Sequence, residues 1–236
     1  MRRSFVLGPI DYSMWLADFL VEVVCVVCLL KKRAFTQHFT IVLYVCASIA
    51  VGVGRYSIMA TSGFTSFSYY YFYFYSDALL TICLYFVLMN LYAHVFSEMG
   101  VSKLVRGGAM LLLAGTAGIS YRMVAMSSDR LVTHFVIELS QNLYFVGVVL
   151  TYLLWGAMTK LRENRTHLMQ LVLSTGVYFS MFAGSYALDN MYPNTVVWRY
   201  IFHLMAMWLP VSWTYTFWKV PEDARMATAR VLVPNR

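Results

Sequence analysis

The sequence predicts an all-α integral membrane protein, a bundle of seven transmembrane helices, and three observations carry that prediction. Of the 236 residues 60% are hydrophobic and 12% charged, where a soluble domain carries roughly 25% charged residues. The apolar residues gather into runs of about twenty or more, the length a helix needs to cross a bilayer. Basic residues recur between those runs, as they do in cytoplasmic loops. A mean hydropathy of +0.63 agrees, and the totals leave room for one domain (1–219) and a polar tail (220–236).

The chain is organised around Tyr69–Phe96, which begins YYYFYFYSDALLTICLYF and is apolar for nearly its whole length around a single acid, Asp77. A carboxylate inside such a helix costs about 2.5–3.5 kcal/mol on insertion scales, so it is expected to face protein or water.

Taken in order, residues 1–11 form a short head. Arg2 and Arg3 resemble a signal-peptide n-region, but no small-residue cleavage site follows. Helix 1 is expected at 12–30, ending at Lys31-Lys32-Arg33, and helix 2 at 39–60, with Arg55 near its far end. The Gly, Ser and Thr residues of Thr61–Ser68 turn the chain into helix 3 at 69–96. A loop with Lys103 and Arg106 precedes helix 4 at 107–125, whose small residues are of the kind that let helix backbones approach. Helix 5 is expected at 132–158, followed by the charged segment TKLRENRTH. Helix 6 follows at 168–188, DNMYPN reads as a turn, and helix 7 occupies 197–219.

Placing the basic segments on one side puts the N-terminus outside and the C-terminus inside, with a bacterial cytoplasmic membrane as the expected location. Trp15 and Trp198 then fall at outer helix ends and Trp155 and Trp218 at inner ends, as interfacial anchors do. An offset of 129 residues superposes Lys31 on Lys160, Arg33 on Arg162 and His38 on His167. Helices 1–3 and 5–7 thus read as a parallel three-plus-one-plus-three repeat with helix 4 as linker.

The charges inside the apolar runs collect in the expected outer half. Asp18 and Glu22 lie on helix 1, Arg55 on helix 2, Asp77 on helix 3, His134 and Glu138 on helix 5, and Arg199 and His203 on helix 7. Asp77 is roughly 12 Å into its helix at 1.5 Å per residue. Asp18/Glu22, His134/Glu138 and Arg199/His203 are i, i+4 pairs, each presented on one helix face. Their common depth predicts a polar pocket for a small polar ligand, an ion or a proton. Asp77 and Glu22 are its expected acceptors, Arg55 the counter-charge and His203 a proton partner, with Asp18 and Glu138 also lining it. The competing reading of each residue is a structural ion pair, or a side chain that snorkels to the interface.

Several classes are disfavoured. The net charge of +7 sits in loops, which argues against nucleic acid as a partner. All four cysteines lie in apolar runs, so no disulfide framework is indicated, and Cys25 and Cys28 read as small buried hydrophobes. H-x-x-x-E at His134/Glu138 is a weak metal signal, and no G-x-S-x-G is present. No cofactor is legible, and an enzyme is the least favoured class. In FSYYYFYFY (Phe67–Tyr75) an aromatic belt at the interface competes with a platform for a flat ligand. Pro210, flanked by Trp208 and Trp213, frees a backbone carbonyl and is expected to kink helix 7.

Seven helices with an acid on the third, and the stretch LPVSWTY in helix 7, resemble microbial rhodopsins. Thr214 stands where their retinal-binding lysine would be, and every lysine here lies in a loop or at an inner helix end, which is incompatible with a Schiff-base pigment. Sugar transporters of the three-plus-one-plus-three type need prolines in several helices, whereas here Pro210 is the only one within a helix. The expected function is a receptor- or transporter-like protein of the lipid bilayer with a ligand pocket. The alternative is an accessory subunit of a membrane complex, with membrane-protein partners or further copies of itself around it.

Overall fold

A computed structural model describes residues 9–32, 38–63, 66–96, 102–125, 131–160, 165–192 and 197–221. These form seven helices and no strand: α1 Pro9–Lys31, α2 Phe39–Ser62, α3 Phe67–Val95, α4 Ser102–Ala125, α5 Leu131–Lys160, α6 Thr166–Met191 and α7 Val197–Lys219. Five of them, α1, α2, α3, α5 and α6, contain stretches long and apolar enough to cross a membrane, and the chain is a helical membrane protein.

Helix ends differ from the sequence expectation where local chemistry extends them. Pro9 opens α1 because its missing N–H is one the first turn would leave unbonded anyway. Thr61 and Ser62 stay helical, with the Thr61 hydroxyl bonding back to Ser57 O at 3.0 Å. Gly63 then ends α2 at φ 79°, a left-handed conformation that favours glycine. Ser66 caps α3 by accepting from Tyr69 N at 3.1 Å, so the helix starts at Phe67. Lys103 and Arg106 belong to the start of α4 rather than to a loop. Asp189, Asn190 and Met191, expected in a turn, complete α6.

Six helices close a ring in the order α1, α2, α3, α5, α6, α7 and back to α1, while α4 lies outside against α5 and α3. Under the 129-residue offset the contacts α1–α2, α2–α3 and α3–α5 correspond to α5–α6, α6–α7 and α7–α1. The ring interior holds Leu84, Leu88 and Leu91 of α3, Leu143 and Leu154 of α5, and Phe179 of α6, all fully buried. The outside is equally apolar. On α1, Leu16, Leu20, Val24 and Val27 are exposed, whereas Glu22, Cys25 and Leu29 face inward. Lipid-facing positions thus carry the larger aliphatics, and polar and small groups mark the protein-facing stripe, the reverse of a soluble helix.

Close helix approach is placed elsewhere than expected. Gly107, Gly108, Gly115 and Gly118 of α4 have open space where a Cβ would stand. Tight contacts occur instead at Gly54 of α2, where a Cβ would lie 2.7 Å from Phe72 Cζ of α3, and between α5 and α6: a Cβ on Gly147 would overlap the Phe179 ring, and one on Gly176 would lie 2.6 Å from Thr151 Cγ2. α5 and α6 each supply one glycine to the other's side chain, which lets the two backbones approach.

Candidate functional site

One cavity of about 450 Å³ opens in the half of the ring that contains the start of α1. Its volume is in the range of ligand sites, roughly 300–1,000 Å³. Asp18 and Glu22 reach it from α1, Arg55 from α2, Asp77 from α3 and His203 from α7. Glu138 is not among the lining residues. It precedes by one turn Asn142, whose amide donates to Ser120 of α4 at 2.9 Å, so that face of α5 is turned to the outer helix. The side chains of His134 and Arg199 lie outside the described residues.

The three acids are held differently. Glu22 is buried and accepts a hydrogen bond from the Ser48 hydroxyl of α2. Asp77 Oδ2 accepts from Ser140 of α5 at 2.6 Å and from Tyr186 of α6 at 3.3 Å. The Ser140 hydroxyl is also 3.2 Å from that of Thr81, which donates to the Asp77 carbonyl at 2.8 Å. One carboxylate therefore joins three helices. Asp18 is the contrast: its Oδ1 is buried and has no hydrogen-bond partner among the described residues.

Arg55 does not form the expected direct ion pair among the described residues. Its Nε donates to Ser76 Oγ at 3.0 Å and its Nη2 to the Tyr73 carbonyl at 3.2 Å. The guanidinium also sits 4.4 Å from the Tyr73 ring centroid, within cation–π range. Arg55 thus clamps α2 to α3 one residue from Asp77.

The walls are aromatic. In the run Phe67–Tyr75, Tyr69, Tyr70, Tyr73 and Phe74 line the cavity at helical spacing, while Phe67, Tyr71 and Tyr75 are exposed on the outside. The run is therefore cavity wall on one face and belt on the other. Trp15, expected as an interfacial anchor, stacks on Tyr56 of α2 at 4.7 Å and lines the cavity. Opposite, Tyr144 of α5 stacks on Phe182 of α6 at 5.1 Å. α7 runs as one helix through Pro210, whose missing N–H leaves the Ala206 carbonyl without its helical donor. Ala206, Pro210 and Trp213 all line the cavity. Trp213 is fully buried, and its indole N–H has no partner among the described residues.

At the opposite end three imidazoles gather. The His38 ring is 5.5 Å from that of His94 and 5.9 Å from that of His167. His38 and His167, which the 129-residue offset superposes, both pack against Phe217. Burial, with the neighbouring His94 and His167 imidazoles adding to it, holds His38 down at about 4. Among the described residues no group of three or more His, Cys, Asp or Glu side chains could hold a metal ion. All four cysteines are free thiols, Cys25 and Cys28 buried in the core.

Sequence reasoning missed Ser48, Ser140 and Tyr186, the partners of Glu22 and Asp77. Each is a single polar residue in an apolar helix, and nothing local distinguishes such a residue from one that bonds its own backbone, as Thr151 does to Gly147 O at 2.7 Å. Comparison with family models, curated proteins and solved structures finds no match to this chain.

Proposed function

We propose that this protein binds or transports a small polar solute, an ion or a proton through the cavity that Asp18, Glu22, Arg55, Asp77 and His203 line. The observation that carries this reading is their convergence from four helices on one hollow of about 450 Å³. Charged groups in a membrane interior are costly, and where they surround a cavity they mark a ligand or ion path by default. The proposed frame is seven crossings of a bacterial cytoplasmic membrane with the N-terminus outside, so that the cavity opens outward. The basic residues between helices support that orientation.

The test is a thermal-shift panel of small polar solutes and ions on the detergent-purified chain, beside Glu22→Gln. The amide keeps an acceptor for Ser48, so the variant is expected to fold and to lose the saturable stabilisation that the ligand gives the parent. A parent that responds to no solute, and that purifies only with a stoichiometric partner, would replace this reading with the accessory-subunit one. That second reading draws support from α4, whose glycines face open space and whose Leu111, Ile119 and Tyr121 are exposed. Single cysteines at Ser62 and Lys160, probed with an impermeant thiol reagent on intact cells, test the orientation. Labelling is expected at Ser62→Cys and is expected to be absent at Lys160→Cys.

A further inference from the structure

We propose that the cavity selects a small organic cation, an amine or quaternary ammonium, with Asp18 and Glu22 as its charge partners. This rests on the solute-binding reading above and names the ligand class for the same site.

Charge gives the sign. Three acids (Asp18, Glu22, Asp77) and one guanidinium (Arg55) line the walls, so acidic side chains outnumber the fixed positive charge. The positive group is already committed, since Arg55 donates to Ser76 and to the Tyr73 carbonyl and stacks on the Tyr73 ring. Asp77 is similarly committed to Ser140 and Tyr186. The α1 acids remain. Asp18 has a buried oxygen with no partner among the described residues, and Glu22 accepts from the Ser48 hydroxyl through Oε1. They stand one turn apart on one face, so a single cationic group can lie between them. A buried carboxylate oxygen without a partner carries a desolvation cost that a bound cation relieves and a neutral solute or an anion does not.

The walls set the kind of cation. Trp15, Tyr44, Tyr56, Phe74 and Tyr178 line the same cavity as the acids, and aromatic faces attract ammonium groups through the ring quadrupole. Such walls suit an organic cation better than a metal ion, which needs several oxygens converging at about 2.0–2.6 Å. Among the described residues no such ligand group exists. The Ala206 carbonyl released by Pro210 adds an acceptor among the lining residues. A ligand with an ammonium at one end and a hydroxyl at the other would meet the acids and that carbonyl together.

The experiment uses three probes of similar size and different charge, phenethylammonium, phenethyl alcohol and 3-phenylpropionate, titrated into the purified full-length chain. Tryptophan fluorescence reads the cavity directly, because Trp15 and Trp213 line it, and thermal shift provides a second readout. Phenethylammonium is expected to bind saturably and at least tenfold more tightly than the other two. Asp18→Asn and Glu22→Gln are each expected to weaken it tenfold or more. Gly52→Trp is expected to abolish binding, since Gly52 lines the cavity and has open space for a side chain. Equal or tighter binding of the alcohol or the carboxylate, still blocked by Gly52→Trp, would overturn the cation assignment and leave the solute site standing. Ammonium binding that neither acid variant weakens would overturn the assignment of the charge partners. No saturable response to any probe from a folded chain would remove both the cation and the solute-binding reading.

Discussion

Ser140 on α5 donates its hydroxyl to Asp77 on α3 across 2.6 Å, and Tyr186 on α6 approaches the same oxygen at 3.3 Å. The acid that makes α3 expensive to bury is therefore also the point where three helices of the ring are joined. Hydrogen bonds to charged groups contribute about 1.5–3 kcal/mol, and a buried partner left unsatisfied costs at least as much. Ser140→Ala is expected to destabilise the detergent-solubilised protein by about that amount. Asp77→Asn, which keeps an acceptor, is expected to cost less. Unfolding midpoints in a denaturing-detergent titration check both, and a Ser140→Ala protein as stable as the parent would contradict the link.

The glycines of α5 and α4 predict stability changes of opposite sign. A Cβ on Gly147 would overlap ring carbons of the fully buried Phe179. Because that ring is wholly enclosed by the core, Gly147→Ala is expected to cost about 1–3 kcal/mol. Gly115 on α4 has nothing within 4 Å of where a Cβ would stand, and Gly115→Ala is expected to gain up to about 1 kcal/mol from helix propensity. The two variants, measured side by side, should move the unfolding midpoint in opposite directions.

The histidine end predicts a pH dependence. His38 is held at about 4 in the folded chain, first by burial, against about 6.5 unfolded. Above pH 6.5 the imidazole is neutral in both states and the folded chain is fully favoured. As pH falls from 6.5 toward 4 the unfolded chain takes up a proton that the folded one refuses, so stability is lost over that window. The loss amounts to roughly 3 kcal/mol at about 1.4 kcal/mol per unit. His38→Gln is expected to flatten the decline between pH 6.5 and 4 in the same denaturing-detergent titration. An unchanged slope would assign the acid sensitivity to other groups.

Arg55 predicts a difference between two cations of equal charge. Its Nε and Nη2 reach Ser76 and the Tyr73 carbonyl while the planar face covers the Tyr73 ring. Lysine has neither the fork nor the flat face. Arg55→Lys is therefore expected to lower stability by about 1.5–3 kcal/mol, the range for hydrogen bonds to charged groups. Charge alone would predict no change, and the thermal midpoint of the purified variant decides.

The class of protein and most of its helices were legible because membrane burial imposes a one-dimensional constraint. A crossing must be apolar over a fixed length, and that length can be read along the chain at α1, α2, α3, α5 and α6. That Asp18, Glu22, Arg55, Asp77 and His203 fall at a common level of their helices was legible for the same reason, since rise per residue converts position into height along a helix, and all five line one cavity. Which way each helix is turned was not. Apolar side chains flank the Asp18/Glu22 stripe of α1 on every side, and only packing decides that Leu20 meets the outside while Glu22 meets Ser48. Glu138 has the same residue type and similar depth as the cavity acids, yet it sits on the α5 face that Asn142 turns toward α4. Gly147 and Gly115 look alike in sequence, and only the neighbouring helix makes one indispensable and the other free. Length, depth and charge are properties of a segment. Partnership is a property of two segments in contact, and the tertiary structure alone assigned Ser140 to Asp77 and left Asp18 facing the cavity.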